Sequence, residues 1–217
     1  MTDFVLQRKN MVESQVRPSD VTDRRITMAM LDLPRERFVP SELMPLAYMD
    51  EALPVAPGRS LMAPRDFARL VQLAAIEDTD KVLVVGAGRG YSAAVVSRLG
   101  REIVALECGS EAAAAMTQVL DGLAITNVSV VTGALASGWP TGGPYDVIVV
   151  EGAVDDVPNA LVDQLAPAGR LVAVAREAGV GRAIVLLKTG NTAAKRVAFE
   201  AAAPRLPGFE RAPGFVF

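Results

Sequence analysis

The run Lys81-Val82-Leu83-Val84-Val85-Gly86-Ala87-Gly88-Arg89-Gly90-Tyr91 constrains this chain more than any other stretch. Four of its first five residues are apolar and three of those are β-branched valines, which suits a central parallel strand covered on both faces. Gly86, Gly88 and Gly90 then stand at every second position. Glycine there lets the chain turn sharply and lets a ligand approach the backbone with no Cβ in the way. A helix over 91–99 follows, its first amides pointing into the opening, an end that suits a polar or anionic group. About twenty residues past the first glycine, Ile103-Val104-Ala105-Leu106 reads as a second strand ending in Glu107, and a carboxylate at that place matches the hydroxyl pair of a ribose. Strand, turn, helix, strand and acid in that order point to a nucleoside-bearing ligand. A tight strand-to-helix turn with no ligand is the competing reading.

The spacing says which nucleoside. Dinucleotide-binding turns need G-x-G-x-x-G. Here the pattern is G-x-G-x-G, with Tyr91 where the third glycine would fall. That leaves less room for a pyrophosphate, and the pattern is the one seen in S-adenosylmethionine methyltransferases. An NAD-dependent oxidoreductase is the less favoured alternative.

Composition removes other chemistries. The 217 residues contain no histidine, which excludes Ser-His-Asp and Cys-His catalysis and histidine metal ligation. The sole cysteine, Cys108, forms no internal disulfide and no multi-cysteine zinc site, and its place just after a strand suggests a small buried filler. With 22 basic and 25 acidic residues, net −3, nothing suggests a nucleic-acid surface. No apolar run reaches membrane-spanning length, and Met1-Thr2-Asp3-Phe4 lacks the plan of a signal peptide, so a cytoplasmic protein without a membrane partner is expected. The oligomeric state is not indicated.

Along the chain, residues 1–76 read as an N-terminal helical and looped extension covering the active site, and 77–217 as the ligand-binding domain. A helix is expected over 21–31 with Ser19 or Asp20 as its cap, and Asp20, Asp23, Arg24 and Arg25 form a charged helix face. Residues 34–40 form a proline-bracketed turn and 47–58 an extended or looped stretch. Pro64 opens a helix that buries Phe67, Leu70, Val71 and Ala74. From Lys81 onward strands and helices alternate: helix 110–120, strand 128–131, strand 145–150 ending at Glu151, helix 159–165, strand 170–174. The runs 183–187 and 195–200 are joined only by a short turn and should pair antiparallel. The expected fold is α/β: a doubly wound, mostly parallel, seven-stranded Rossmann-like sheet with a C-terminal antiparallel hairpin.

Several pieces then carry a specific resemblance. Pro34-Arg35-Glu36-Arg37-Phe38-Val39-Pro40, Ala47-Tyr48, Pro64, Gly86-Ala87-Gly88-Arg89-Gly90-Tyr91-Ser92-Ala93-Ala94, Gly138-Trp139-Pro140 and Pro144-Tyr145-Asp146 together resemble the protein-L-isoaspartate O-methyltransferases, over about 10–175. The resemblance implies a class I methyltransferase fold, S-adenosylmethionine as cofactor, and a damaged protein or peptide whose isoaspartyl carboxylate is methylated. It places Gly86, Ala87, Gly88, Gly90, Tyr91, Glu107, Ala134 and Leu135 at the cofactor. Tyr91 reads as packing at the turn rather than a sulfonium contact, and Trp139 with Pro140 as a structural turn.

Four departures stand beside it. Where the family has threonine-isoleucine-serine-x-proline at the substrate, this chain has Ser60-Leu61-Met62-Ala63-Pro64, so Met62 takes the serine position and Ser60 lies two residues away. Val84 replaces the acid two places before the first glycine, and Gly133-Ala134-Leu135 replaces a glycine-aspartate-glycine at the adenine. Glu151 is a gain, at a strand end where substrates meet cofactors in such sheets. Ser60, Met62 and Glu151 are therefore the candidate catalytic positions. A divergent methyltransferase with another acceptor, and a binding protein that keeps the fold without catalysis, stay open as alternatives.

Overall fold

The computed structural model describes residues 3–56, 58–177, 179–190 and 192–210. The chain begins with α1 (Phe4–Met11), opened by the Asp3 carboxylate accepting from the Leu6 N–H at 3.0 Å, and continues as a π-helical segment, Val12–Val16. The next helix, α2, spans Arg24–Asp32 and starts three residues later than expected. Its cap is Asp23, which accepts from the Arg25 N–H at 2.9 Å, and not Ser19 or Asp20. The reason lies in α3 (Pro64–Ala74): the side-chain Oε1 of Gln72 accepts from the N–H groups of Thr22 and Asp23 and holds that stretch extended.

The stretch expected to be extended or looped over 47–58 is extended at β1 (Leu53–Ala56), which pairs antiparallel with β2 (Arg59–Leu61) in a small hairpin. Its alternation is hidden in the sequence because Arg59 takes an inward place beside Leu61. In α3 the apolar positions Phe67, Leu70, Val71 and Ala74 are all buried. The helix starts at Pro64, whose missing N–H is one that a first turn leaves unpaired anyway.

Seven strands follow: β3 (Lys81–Val85), β4 (Glu102–Glu107), β5 (Val128–Thr132), β6 (Tyr145–Val154), β7 (Leu165–Glu177), β8 (Val180–Thr189) and β9 (Thr192–Glu200). They form one sheet in the order β5-β4-β3-β6-β7-β8-β9. Pairs among β3 to β7 are parallel, while β8 is antiparallel to both β7 and β9. The expected terminal hairpin is therefore present, and it extends a meander that begins at β7. The winding reverses between β3 and β6, and in such sheets ligands enter the crevice beyond the strand ends at that reversal.

One face carries a continuous apolar core from the N-terminal elements, α3, α4 (Tyr91–Val96) and α5 (Ser110–Asp121), including Met11, Met30, Phe67, Val82, Val84, Ala93, Met116 and Val149. The other face packs α6 (Asn159–Asp163) and the tail residues Leu206 and Phe209 against Leu83, Val85, Ile148 and Val150. Trp139 sits in a structural turn, its N–H donating to Gln164 Oε1 at 2.8 Å and its carbonyl accepting from the Tyr145 hydroxyl at 2.7 Å.

Arg35 ties the N-terminal layer together. Its side chain is fully buried; Nε donates to the Ala47 carbonyl and Nη2 to the Met62 carbonyl, both at 2.7 Å. Removing both donors strands two buried carbonyls, each costing roughly 1–3 kcal/mol. Arg35→Met is expected to lower stability by about 2 kcal/mol or more, read from the shift of the urea midpoint at constant slope. An unchanged midpoint would show that this guanidinium does not organise the layer.

Candidate active site

The site is built at the carboxyl ends of β4, β3 and β6. Val85 is in register with Leu106 on one side and Val150 on the other, which sets Glu107, Gly86 and Glu151 in a row across three neighbouring strands. Gly86, Gly88 and Gly90 all have positive φ, at 78°, 56° and 96°, a region that L side chains rarely adopt. Around Gly88 the space is free: a Cβ there would meet nothing within 4 Å. Around Gly86 it is filled, since a Cβ would lie 2.8 Å from Leu206 Cδ1 and 3.0 Å from Arg59 Nη2.

Glu107 is wholly buried. Its carboxylate accepts from the Gly88 N–H at 2.7 Å and the Cys108 N–H at 2.8 Å, so the glycine turn and the strand end fix its position. Arg59, 7% exposed, completes its shell: Nη2 and Nε reach the Glu107 oxygens at 3.1–3.3 Å, and Nη2 also donates to the Gly86 carbonyl. A cavity of about 600 Å³ opens beside this pair, with Arg59, Arg89, Glu107, Cys108, Gly109 and Ala112 in its wall. Cys108 is exposed to it rather than buried as a filler, and its thiol donates to Glu107 Oε1 at 3.2 Å. Partial burial and the neighbouring Glu107 push the thiol pKa up.

The strand expected to end at Glu151 instead runs on to Val154, and its register with β7 shifts between Val149 and Ala153. Glu151 sits in that irregularity, a device that re-aims a side chain. Gly152 follows it with φ 151°, and a Cβ there would lie 3.0 Å from Leu206 Cβ, so glycine lets the tail approach. The tail pairs with this stretch: the Ala153 N–H donates to the Pro204 carbonyl, and the Leu206 N–H to the Ala153 carbonyl, each at 2.8 Å. Thus 204–209 packs across the strand ends, while Gly214-Phe215-Val216-Phe217 lies outside the described residues.

Glu151 is 3% exposed, and its Oε2 has no hydrogen-bond partner. Burial raises its pKa from the usual 4.5 to about 7; the neighbouring Ser92 hydroxyl and the Arg59 and Arg35 guanidinia pull it down, and Glu107 pushes it further up. The Tyr91 ring is buried between Phe38, at 5.5 Å, and Phe67, at 5.7 Å, with the Arg35 guanidinium 4.7 Å from its centroid. Tyr91 is thus a packing residue at the turn.

Other positions fall elsewhere. Met62 is buried in the core on the N-terminal side, so only its backbone is engaged, through Arg35. Ser60 is half-buried in β2, between the inward Arg59 and Leu61. Ala134 is exposed, and Leu135 is buried in the apolar layer on the opposite face of the sheet. Neither borders the cavity beside Glu107. Arg59, Arg35 and Ser92 belong to this cluster as well, and no motif in the sequence marks them as neighbours of Glu151. Arg59 carries no local signal, since it hides the alternation of its own short strand.

Comparison with known proteins gives the family and the fold. The family model described as Protein-L-isoaspartate(D-aspartate) O-methyltransferase (PCMT) matches residues 6–200. The chain belongs to the protein-L-isoaspartate O-methyltransferase family. A Protein-L-isoaspartate O-methyltransferase of Koribacter versatilis is 41% identical over 172 residues, 79% of this chain and 78% of that one. Another, of Herpetosiphon aurantiacus, is 38% identical over 186 residues, 85% and 83% of the two chains. Among solved structures, one named protein-L-isoaspartate O-methyltransferase superposes with a TM-score of 0.80 at 26% identity, over 93% of this chain and 66% of that one. A Plasmodium falciparum structure, described as a putative member of the family in complex with S-adenosyl-L-homocysteine, shares the fold at 17% identity, with a TM-score of 0.78 over 95% and 99% of the two chains.

The Glu151 carboxyl makes stability depend on pH. The folded chain holds this proton more tightly than the unfolded one, so stability present below the unfolded value of 4.5 is lost as pH rises towards about 7, and levels off above. The loss amounts to roughly 3 kcal/mol. Glu151→Gln is expected to be the more stable form at pH 8 and to flatten the slope between pH 5 and 7, measured by urea unfolding at each pH. Equal slopes in both proteins would show that the carboxyl is solvated.

Proposed function

We propose that this chain is an S-adenosylmethionine-dependent methyltransferase that esterifies the side-position carboxylate of isoaspartyl residues in damaged proteins. One observation carries the reading. Glu107, buried and fixed by the Gly88 amide, borders a cavity of about 600 Å³ beyond the carboxyl end of β4, in a chain that the family model matches over 6–200.

The residues present suit that cofactor. Glu107 is the carboxylate for the ribose hydroxyls, and the turn of Gly86, Ala87, Gly88 and Gly90 supplies backbone without side chains, with free space at Gly88. We assign the adenine to the cavity wall near Gly109 and Ala112, since Ala134 and Leu135 border no part of it. When bound, the cofactor supplies a methyl group on a positively charged sulfur. The acceptor carboxylate, with an ordinary pKa of about 4, is ionised at neutral pH, so no general base is needed. A chain without histidine can therefore do this work by alignment. Residues 1–76 and the tail at 204–209 cover the strand ends and keep water out; Ser60 and the backbone near Met62 are assigned to the acceptor. No helix among the described residues is long and apolar enough to cross a membrane, and the single thiol, Cys108, suits a reducing, cytoplasmic setting.

The direct test is methyl transfer from labelled S-adenosylmethionine to a peptide carrying one isoaspartyl residue, beside its aspartyl twin. Selective labelling of the first is expected; labelling of neither, with the cofactor bound, would overturn the acceptor. Gly88→Ala would project a methyl group into the open turn while straining only the φ of 56°. It is expected to weaken S-adenosylmethionine binding by about tenfold or more, at a cost of roughly 1 kcal/mol in stability. Unchanged calorimetric affinity would show that the cofactor lies elsewhere.

A further inference from the structure

Four buried polar atoms, Arg35 Nη1, Tyr91 Oη, Ser92 Oγ and Glu151 Oε2, make no well-formed hydrogen bond, and they belong to side chains that face one another beneath the glycine turn, where only weak pairing of Ser92 with Glu151 and of Arg35 with Tyr91 is left to them. Buried polar groups are almost always paired, so such a cluster calls for an explanation. Two of the described chain's buried carboxylates, Glu107 and Glu151, flank Gly86 on neighbouring strands, and the Arg59 guanidinium interacts electrostatically with both. The oxygens of Glu107 are taken by two backbone amides and Arg59, whereas Glu151 Oε2 makes no well-formed hydrogen bond. Nothing in methyl transfer to an ionised carboxylate uses an acid at Glu151.

The cofactor's methionine portion carries a sulfonium and an ammonium against one carboxylate, a net charge that a low-dielectric crevice accepts only beside a counter-charge. We propose that Glu151 is a cofactor-positioning residue: beside Glu107, which takes the ribose hydroxyls, it completes the socket as the counter-charge for the positively charged methionine portion of S-adenosylmethionine, and Arg59 holds both carboxylates until the cofactor displaces it. The exchange conserves charge, one cation leaving as another enters. Arg59 shares the space over Gly86 with Leu206, while that over Gly88 is open to the incoming cofactor. This inference rests on the proposed function, because it takes S-adenosylmethionine to be the ligand.

The test is calorimetric titration of the full chain and of Glu151→Gln and Arg59→Ala with S-adenosylmethionine and with 5′-methylthioadenosine, which keeps the nucleoside and lacks the charged portion. In Glu151→Gln the preference for S-adenosylmethionine over the neutral nucleoside is expected to fall by about tenfold or more, with the nucleoside itself binding unchanged. The same variant is expected to unfold later than the parent at pH 8, so a loss of affinity cannot be laid to a damaged fold. Arg59→Ala, checked for native unfolding, is expected to bind S-adenosylmethionine more tightly. An unchanged preference in Glu151→Gln, or affinities for both ligands falling together, would overturn the socket; weaker S-adenosylmethionine binding in Arg59→Ala would overturn the role of Arg59. A parent chain that fails to bind S-adenosylmethionine would instead refute the proposed function.

Discussion

A guanidinium taken out of water must find acceptors where it lands, because the loss of solvation exceeds what one weak contact returns. Two arginines of the N-terminal seventy-six residues are buried, and each fixes part of the molecule by that rule. Arg35 spends its donors on the carbonyls of Ala47 and Met62 and lies against the Tyr91 ring, so the chain entering α3 and the turn after β3 are held by the same side chain. Arg59 reaches across to Glu107 and the Gly86 carbonyl, which places the β1–β2 hairpin over the end of the sheet. The apolar core supplies most of the driving force for packing, but it is not directional. The two guanidinia decide where along the sheet the N-terminal layer sits.

What the sequence made legible follows from how local the physics is. β3 and β4 are short apolar runs closed by glycine and by acid, and they could be placed to within a residue. The first helix of the sheet was expected too long, because α4 stops at Val96 although the chain bonds on as a turn to Gly100. The strand through Glu151 was expected too short, because a charged residue followed by glycine ordinarily ends a buried strand. Here it marks an irregularity that the tail covers. The β1–β2 hairpin went unseen since its inward Arg59 breaks the apolar alternation, and its partner Glu107 lies forty-eight residues on. No local pattern announces such a pair.

The site divides the same way. Gly86, Gly88, Gly90 and Glu107 were legible because spacing alone fixes their geometry. Cys108 faces the cavity and not the core because a residue just past a strand can turn either way, and here the cavity lies on its side. Met62 and Leu135 entered through positions matched to a motif, yet both side chains are core. A motif position gives the place in the chain, and the neighbouring elements decide which way the side chain turns.

Within that frame the placing of Glu151 is informative. An ionisable group buried among apolar strands lowers stability at neutral pH, and a glutamine or a small residue would relieve it. The same few residues also carry unsatisfied polar atoms at Ser92, Tyr91 and Arg35, while most other buried side chains of this face are hydrocarbon. Costs gathered at one crevice, at the reversal of strand order, differ from costs scattered through a core: they mark the place where the fold has given up stability for chemistry. The cation that Arg59 supplies between Glu107 and Glu151 reduces the cost without removing it, which leaves the two carboxylates with charge to offer a better-fitting partner.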